Sequence, residues 1–236
     1  MEVKAILFDM DGVLVDSIDA WYFIINDTLN HFGFASISRA KFEKRFGASI
    51  ENDVKTLYIG KSIKEVELAY NLNFKKRKKY VRIFPNSELV LKNLKKKKLK
   101  LGLLTNSTEE ITMEILEHFK IKKYFDVILT MNDVRRRKPA PDMVLKACRK
   151  LGVKPKNAIL IGDTDNDMIA GKRAGCVTVG YKIEGDYKIN NLKKVIKVIQ
   201  CNLFLEYKHF RPVIMIIQLT LSYFSVFYQM ESGITS

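Results

Sequence analysis

The sequence predicts a doubly wound α/β fold, a mostly parallel sheet interrupted after its first strand by a helical insert. Three observations carry this. The apolar run Ala5-Ile6-Leu7-Phe8 stops at Asp9-Met10-Asp11-Gly12, as a buried strand delivering acids to its C-terminal end would. From Pro85 onward, short apolar runs alternate with helical stretches, the pattern of parallel strands covered on both faces. Between them, residues 17–82 read as helix with no convincing strand.

Within the insert, Trp21, Ile24, Ile25, Thr28, Leu29 and Phe32 fall at helical spacing and Gly33 follows as a stop. Ser38 suits the cap of a short helix through Phe46, ended by Gly47. Ser62 and Glu65 have capping-box spacing before a helix that runs toward Lys75. After Pro85, Asn86 suits the cap of a helix to about Lys98, and Leu99 to Leu104 reads as a strand. Ser107 with Glu110 repeats the capping-box spacing, opening a helix to about Phe119, and Val127 to Leu129 is a strand. Pro141 fits the first turn of a helix ending near Leu151, with Gly152 as its stop. Ala158 to Ile161 is a strand, a helix covers about Asn166 to Ala174, Gly175 ends it before the strand Val177 to Val179, and a last helix runs from Leu192 to Ile199. The domain expectation is an α/β core over 1–16 and 83–200, a helical unit over 17–82 and an apolar extension over 201–236.

Composition is that of a globular chain: 236 residues, 47% hydrophobic and 28% charged. The outlier is a formal charge of +15, with basic residues in runs at Lys75–Lys79, Lys95–Lys98 and Arg135–Lys138. These runs read first as solvated helix faces and loop ends, and such a field would still attract anionic substrates. No zinc-ligand spacing, stacking-aromatic motif or repeat accompanies it, so no specific nucleic-acid binding is expected. Three cysteines, Cys148, Cys176 and Cys201, form no C-x-x-C pair and suit buried thiols in a reduced cytoplasmic protein. The N-terminus leads straight into the first strand and lacks the features of a signal peptide.

Each core strand ends in chemistry. In open α/β sheets ligands bind at the carboxyl ends of the strands. Asp9 and Asp11 suit a division of labour, one attacking phosphorus and the other handling a proton, with Gly12 turning the backbone away. Thr105-Asn106-Ser107 sets a hydroxyl and free amides before a helix, either a phosphate cradle or simple N-capping. Lys138, just before a rigid Pro-Ala-Pro turn, offers a cation for a phosphoryl oxygen, with a plain exposed charge as the alternative. Asp163 ends a strand and Asp167 lies four residues on. Both supply hard oxygen ligands of the kind magnesium prefers, with an N-capping role for Asp163 or Asp165 as the alternative. Four carboxylates gathered at one sheet edge cannot all ionise without a cation.

Asp9-Met10-Asp11-Gly12-Val13-Leu14, Leu104-Thr105-Asn106-Ser107, Lys138-Pro139-Ala140-Pro141-Asp142 and Gly162-Asp163-Thr164-Asp165-Asn166-Asp167 together resemble, in order, the four motifs of the haloacid dehalogenase superfamily of phosphohydrolases. The resemblance covers about residues 3–200, and the insert is similar to the small helical cap of the branch containing phosphoglycolate phosphatase and β-phosphoglucomutase. It implies a Rossmann-like core and Mg²⁺ as cofactor. Asp9 becomes the nucleophile, forming an aspartyl-phosphate, and Asp11 the acid–base, its backbone carbonyl on the metal. Asp9 and Asp163 become direct ligands, with Asp167 direct or one shell out. Thr105, the Asn106 amide and Lys138 hold the phosphoryl oxygens. An aspartate at position 11 favours phosphate monoester hydrolysis or phosphomutase chemistry, and the core motifs do not choose between them. The expected partner is a small phosphorylated metabolite, phosphoglycolate-like by branch resemblance, bound by a monomer or homodimer. Lys44 and Arg45, just before Gly47, are the cap cations placed to touch an acidic leaving group; a solvated helix end is the alternative.

The tail does not fit this pattern. Pro212 is the start of an uncharged aliphatic and aromatic stretch reaching Gln229. Its length just reaches a membrane span, which Gln218, Thr220, Ser222 and Ser225 weaken. A packed element or subunit contact is the favoured reading, with a membrane anchor and an unselected tail as the others, and a non-catalytic, membrane-tethered binding protein as the competing function.

Overall fold

The computed structural model describes residues 2–199; the tail from 201 onward lies outside them. Its centre is a six-stranded parallel sheet in the order β5-β4-β1-β6-β7-β8. The strands are β1 (Ala5–Phe8), β4 (Lys100–Leu104), β5 (Val127–Leu129), β6 (Ala158–Gly162), β7 (Val177–Tyr181) and β8 (Tyr187–Ile189). β1 and β6 are buried along their whole length, which is why they read as continuous apolar runs without alternation. The chain winds outward from β1 through β4 to β5, then returns to β6 on the other side of β1 and winds outward through β7 and β8. The reversal falls between β1 and β6, so the crevice at their carboxyl ends is the expected binding place.

Helices α5 (Ser87–Lys96), α6 (Glu109–His118), α7 (Asp142–Leu151) and α8 (Asp165–Ala174) cover the sheet. Two buried clusters fill the space. One joins Ile6, Phe8, Leu101, Ile159 and Ile161 to α5, α6 and the insert; the other joins Ala5, Leu7, Leu104 and Leu160 to α7 and α8. Cys148 and Cys176, remote in sequence, are both buried in the second cluster. Cys201 lies outside the described residues.

The insert is helical: α1 (Ile18–His31), α2 (Arg39–Glu43), α3 (Ile50–Thr56) and α4 (Ile63–Arg77). The capping box expected at Ser62 and Glu65 is formed, and Ser38 caps α2 through the Lys41 amide. One helix and three strands were not foreseen. α3 lies between the short helix and Ser62, and β8 extends the sheet by one strand. A two-residue antiparallel pair, β2 (Val15–Asp16) with β3 (Arg82–Ile83), joins the two chain crossings between insert and core. Among the described residues no helix is long and apolar enough to cross a membrane.

Candidate active site

Asp9 leaves the end of β1 with its amide donating to the Ile161 carbonyl of β6 at 2.8 Å, so the backbone pairing itself sets Asp9 beside the β6 terminus. Asp163 follows β6, and Asp167 lies in the first turn of α8. Ligand-capable oxygens of Asp9, Asp163 and Asp167 all fall within 4.8 Å of one another. Gly12, at φ +78°, permits this packing: a Cβ there would sit 1.8 Å from Asp163 Oδ2. Neither Asp163 nor Asp165 caps α8. Thr164 is the N-cap, and Asp167 Oδ2 accepts from its amide at 3.2 Å and its hydroxyl at 2.5 Å.

Lys138, in the loop between β5 and α7, is buried against this cluster. Its ammonium donates to Asp9 Oδ1 at 2.6 Å, Asp167 Oδ1 at 2.6 Å and the Leu104 carbonyl at 2.9 Å. Asn106 fixes the loop: its side-chain amide donates to the Lys138 carbonyl at 3.1 Å, and its Oδ1 accepts from the Lys138 amide at 3.2 Å. The run Arg135–Lys138 is therefore not a uniform solvated face. Arg137 pairs with Glu51 of the insert, and Lys138 is 3% exposed.

Burial, reinforced by Asp167 and Asp163, pushes the Asp9 carboxyl well above its ordinary range against the pull of Lys138. Burial and Asp167 push Asp163 up to about 7. Burial works against the Lys138 charge, but Asp167 and Asp9 outweigh it and raise its pKa. Three carboxylates facing one ammonium leave two negative charges, which a divalent cation matches. The donor set fits such an ion, all of it hard oxygen, and Asp163 Oδ1 is buried with no hydrogen-bond partner.

Asp11 stands apart from that cluster. Its Oδ1 accepts from the Ser17 hydroxyl at 2.5 Å and the Trp21 indole at 3.1 Å. Its Oδ2 accepts from the Ser107 hydroxyl at 2.8 Å and Thr105 Oγ1 at 3.4 Å. Ser107 was expected to cap α6. Thr108 takes that place, its hydroxyl accepting from the Ile111 amide, which frees Ser107 for Asp11.

The insert closes over these groups. The Gly47 carbonyl accepts from Asn166 Nδ2 at 3.0 Å, Thr108 donates to Asn71 at 2.6 Å, and Lys75 and Lys78 pair with Glu110 and Glu114 of α6. Between core and insert lies a cavity of about 70 Å³ that Asp9, Asp11, Thr105, Asn106, Lys138 and Asp167 share with Arg45, Asp53, Trp21 and Tyr70. The two expected cap cations part company here. Arg45 lines the cavity, its Nη2 donating to Asp53 Oδ1 at 2.5 Å and Thr56 at 2.9 Å, while Lys44 is exposed and does not line it. Asp53, raised by burial against the pull of Arg45, also accepts from Tyr70 at 2.8 Å.

Ser17, Trp21, Asp53 and Tyr70 were not singled out from sequence as site residues, and Ser107 was read as a helix cap or part of a phosphate cradle, not as a partner of Asp11. Trp21 was legible only as part of an apolar helix face, and Asp53 and Tyr70 meet only once α3 packs on α4.

A parallel sheet with carboxylates and a buried lysine at its switch point, covered by a helical insert, defines a class of phosphoryl-transfer hydrolase. The chain belongs to the haloacid dehalogenase-like hydrolases, whose family model matches residues 6–181. It is 32% identical over 190 residues to a phosphoglycolate phosphatase of Aquifex aeolicus, covering 80% of this chain and 89% of that one. It is 30% identical over 178 residues to pyrophosphatase PpaX of Bacillus velezensis, covering 75% of this chain and 82% of that one. The fold matches the crystal structure of CbbY from Rhodobacter sphaeroides in complex with phosphate, with a TM-score of 0.73 at 21% identity over 82% of this chain and 96% of that one.

Proposed function

We propose that this protein is a Mg²⁺-dependent phosphatase of small anionic phosphate monoesters, acting through an aspartyl-phosphate on Asp9, with a phosphoglycolate-like substrate. The observation that carries this reading is the position of Asp9, which faces Lys138 on one oxygen and shares the Asp163–Asp167 cluster. A carboxylate so placed can attack a phosphorus atom whose oxygens lie against Lys138, Thr105 and the Asn106 amide. Asp11 protonates the leaving oxygen as the P–O bond breaks, then takes a proton from the water that hydrolyses the acyl phosphate. Asp9, Asp163, Asp167 and the Asp11 carbonyl would hold Mg²⁺, which offsets charge on the transferring group. The small cavity and the Arg45 guanidinium in its roof support a short, anionic leaving group.

Pyrophosphate is the second reading, favoured by the likeness to PpaX; its leaving phosphate offers Arg45 the same kind of partner. Phosphate release across phosphoglycolate, pyrophosphate and a bisphosphorylated sugar, with and without Mg²⁺, for the parent and Asp9→Asn tests all of this. Metal-dependent turnover abolished by the substitution is expected, with the highest kcat/KM on phosphoglycolate. Full activity in Asp9→Asn or in EDTA would sink the mechanism, and transfer to sugar rather than water would make the protein a mutase.

A further inference from the structure

Asp11 has its two oxygens in different company. Oδ1 faces α1, with Ser17 and the Trp21 indole; Oδ2 faces the loop after β4, with Ser107 and Thr105. The difference is chemical. An indole N–H can only donate, whereas a hydroxyl can donate or accept. An oxygen that must accept from Trp21 is a poor place for a proton. Oδ2 has no such obligation, because the Ser107 and Thr105 hydroxyls can turn round and accept.

The indole is itself held. Its ring meets Tyr70 edge-on, with centroids 5.5 Å apart at 77°. The Tyr70 hydroxyl donates to Asp53 Oδ2, and Asp53 Oδ1 accepts from Arg45. Asp11, Trp21, Tyr70, Asp53 and Arg45 form a continuous series of contacts along the cavity wall.

We propose that Trp21 is a positioning residue that fixes Asp11 Oδ1 as the acceptor and so places the transferable proton on Oδ2, beside the phosphoryl-binding loop. The inference rests on the phosphatase reading above and deepens it. In the transfer step the Asp9–phosphorus bond forms, the phosphorus–oxygen bond of the ester breaks, and the proton on Oδ2 passes to the departing alkoxide, leaving Asp11 as a carboxylate. Trp21 touches no reacting atom; it acts through Asp11.

Trp21→Phe tests this, because it keeps a ring against Tyr70 and deletes the N–H. Two small substrates separate positioning from damage. Phosphoglycolate leaves as an alkoxide and needs the proton; acetyl phosphate leaves as a carboxylate and does not. The expected result is a loss of about tenfold in kcat/KM on phosphoglycolate and less than about twofold on acetyl phosphate, a modest part of what general acid catalysis supplies. Equal losses on both substrates, or none, would overturn the inference while leaving the phosphatase reading intact. A parent inactive on every phosphate ester would overturn both. A readout that needs no turnover is available because Trp21 is the only tryptophan in the chain. An acceptor oxygen beside the indole nitrogen draws emission to the red, so Asp11→Leu, which removes the acceptor, should shift it to the blue; unchanged emission counts against the contact.

Discussion

Gly12 and Asp163 occupy space that only one side chain can fill: a Cβ at position 12 would lie 1.8 Å from Asp163 Oδ2, on backbone at φ +78°. The two residues come from different strand ends, so the tolerance for close approach is what lets β1 and β6 share one acidic site. Gly12→Ala should leave the core folded and displace the Asp163 carboxylate. Mg²⁺ affinity, read as the metal-induced rise in Tm, is expected to weaken by about 10–100-fold, the range seen when the groups supporting a metal ligand are disturbed. Unchanged Mg²⁺ stabilisation would remove Asp163 from the metal set.

Among the described residues Lys138 is the one cation inside the carboxylate cluster, and its loss has a predictable sign. Lys138→Met leaves Asp9 and Asp167 buried without their shared partner. Breaking a buried pair from one side costs about 3–5 kcal/mol, so metal-free Lys138→Met should unfold at clearly lower denaturant than the parent. Because the Asp9 carboxyl is already raised by burial, it takes up a proton readily. The deficit should therefore narrow at pH 5, and an equal deficit at pH 5 and 8 would argue against a charge origin.

The architecture was legible where signals are local. Ser62 with Glu65, Gly152 after α7 and the buried runs of β1 and β6 act through neighbours in the chain, and each appears where the sequence put it. The missing elements are those whose partners are distant. β2 and β3 hold two residues each and exist only because Val15 meets Ile83. At α6, Ser107 and Thr108 are adjacent hydroxyls with equal claims to the cap. Which of them wins is decided by Asp11, remote in sequence, which accepts from Ser107. Motif order located Asp9, Asp163, Asp167 and Lys138, but no sequence pattern announces that Asn106 spends its side chain on the Lys138 backbone.

Stability without metal should fall as pH rises. The folded Asp163 carboxyl titrates near 7, above its unfolded value of about 3.9. A group raised in this way contributes stability that is complete below the unfolded value and lost as pH rises through the folded one. For Asp163 the loss spans about pH 4 to 7 and amounts to roughly 4 kcal/mol at most. A divalent cation held as proposed would bind the ionised form and offset the loss. The gain in Tm on adding Mg²⁺ to EDTA-stripped protein should thus be larger at pH 8 than at pH 5.5. A gain that is independent of pH would separate metal binding from this carboxylate.

Arg45 and Lys44 are neighbours in sequence with different surroundings, which makes them a controlled pair. Arg45 lines the cavity, held by Asp53 and Thr56, and its Nε is buried with no partner. Lys44 is exposed. On the proposed function an anionic leaving group entering the cavity would meet the guanidinium, so Arg45→Met should raise KM for phosphoglycolate about 10-fold or more, as expected when one partner of a desolvated charge contact is removed. Acetyl phosphate, whose leaving end carries no charge in the bound ester, should be affected far less. Asp53, left without its cation, is buried and already raised; taking up a proton lets it keep the Tyr70 bond, so the fold should survive the change. Lys44→Met should stay within about twofold on both substrates, because a solvated charge outside the cavity is screened. Equal effects of the two substitutions would mean that the leaving group reads the general basic field of the insert and not the Arg45 guanidinium.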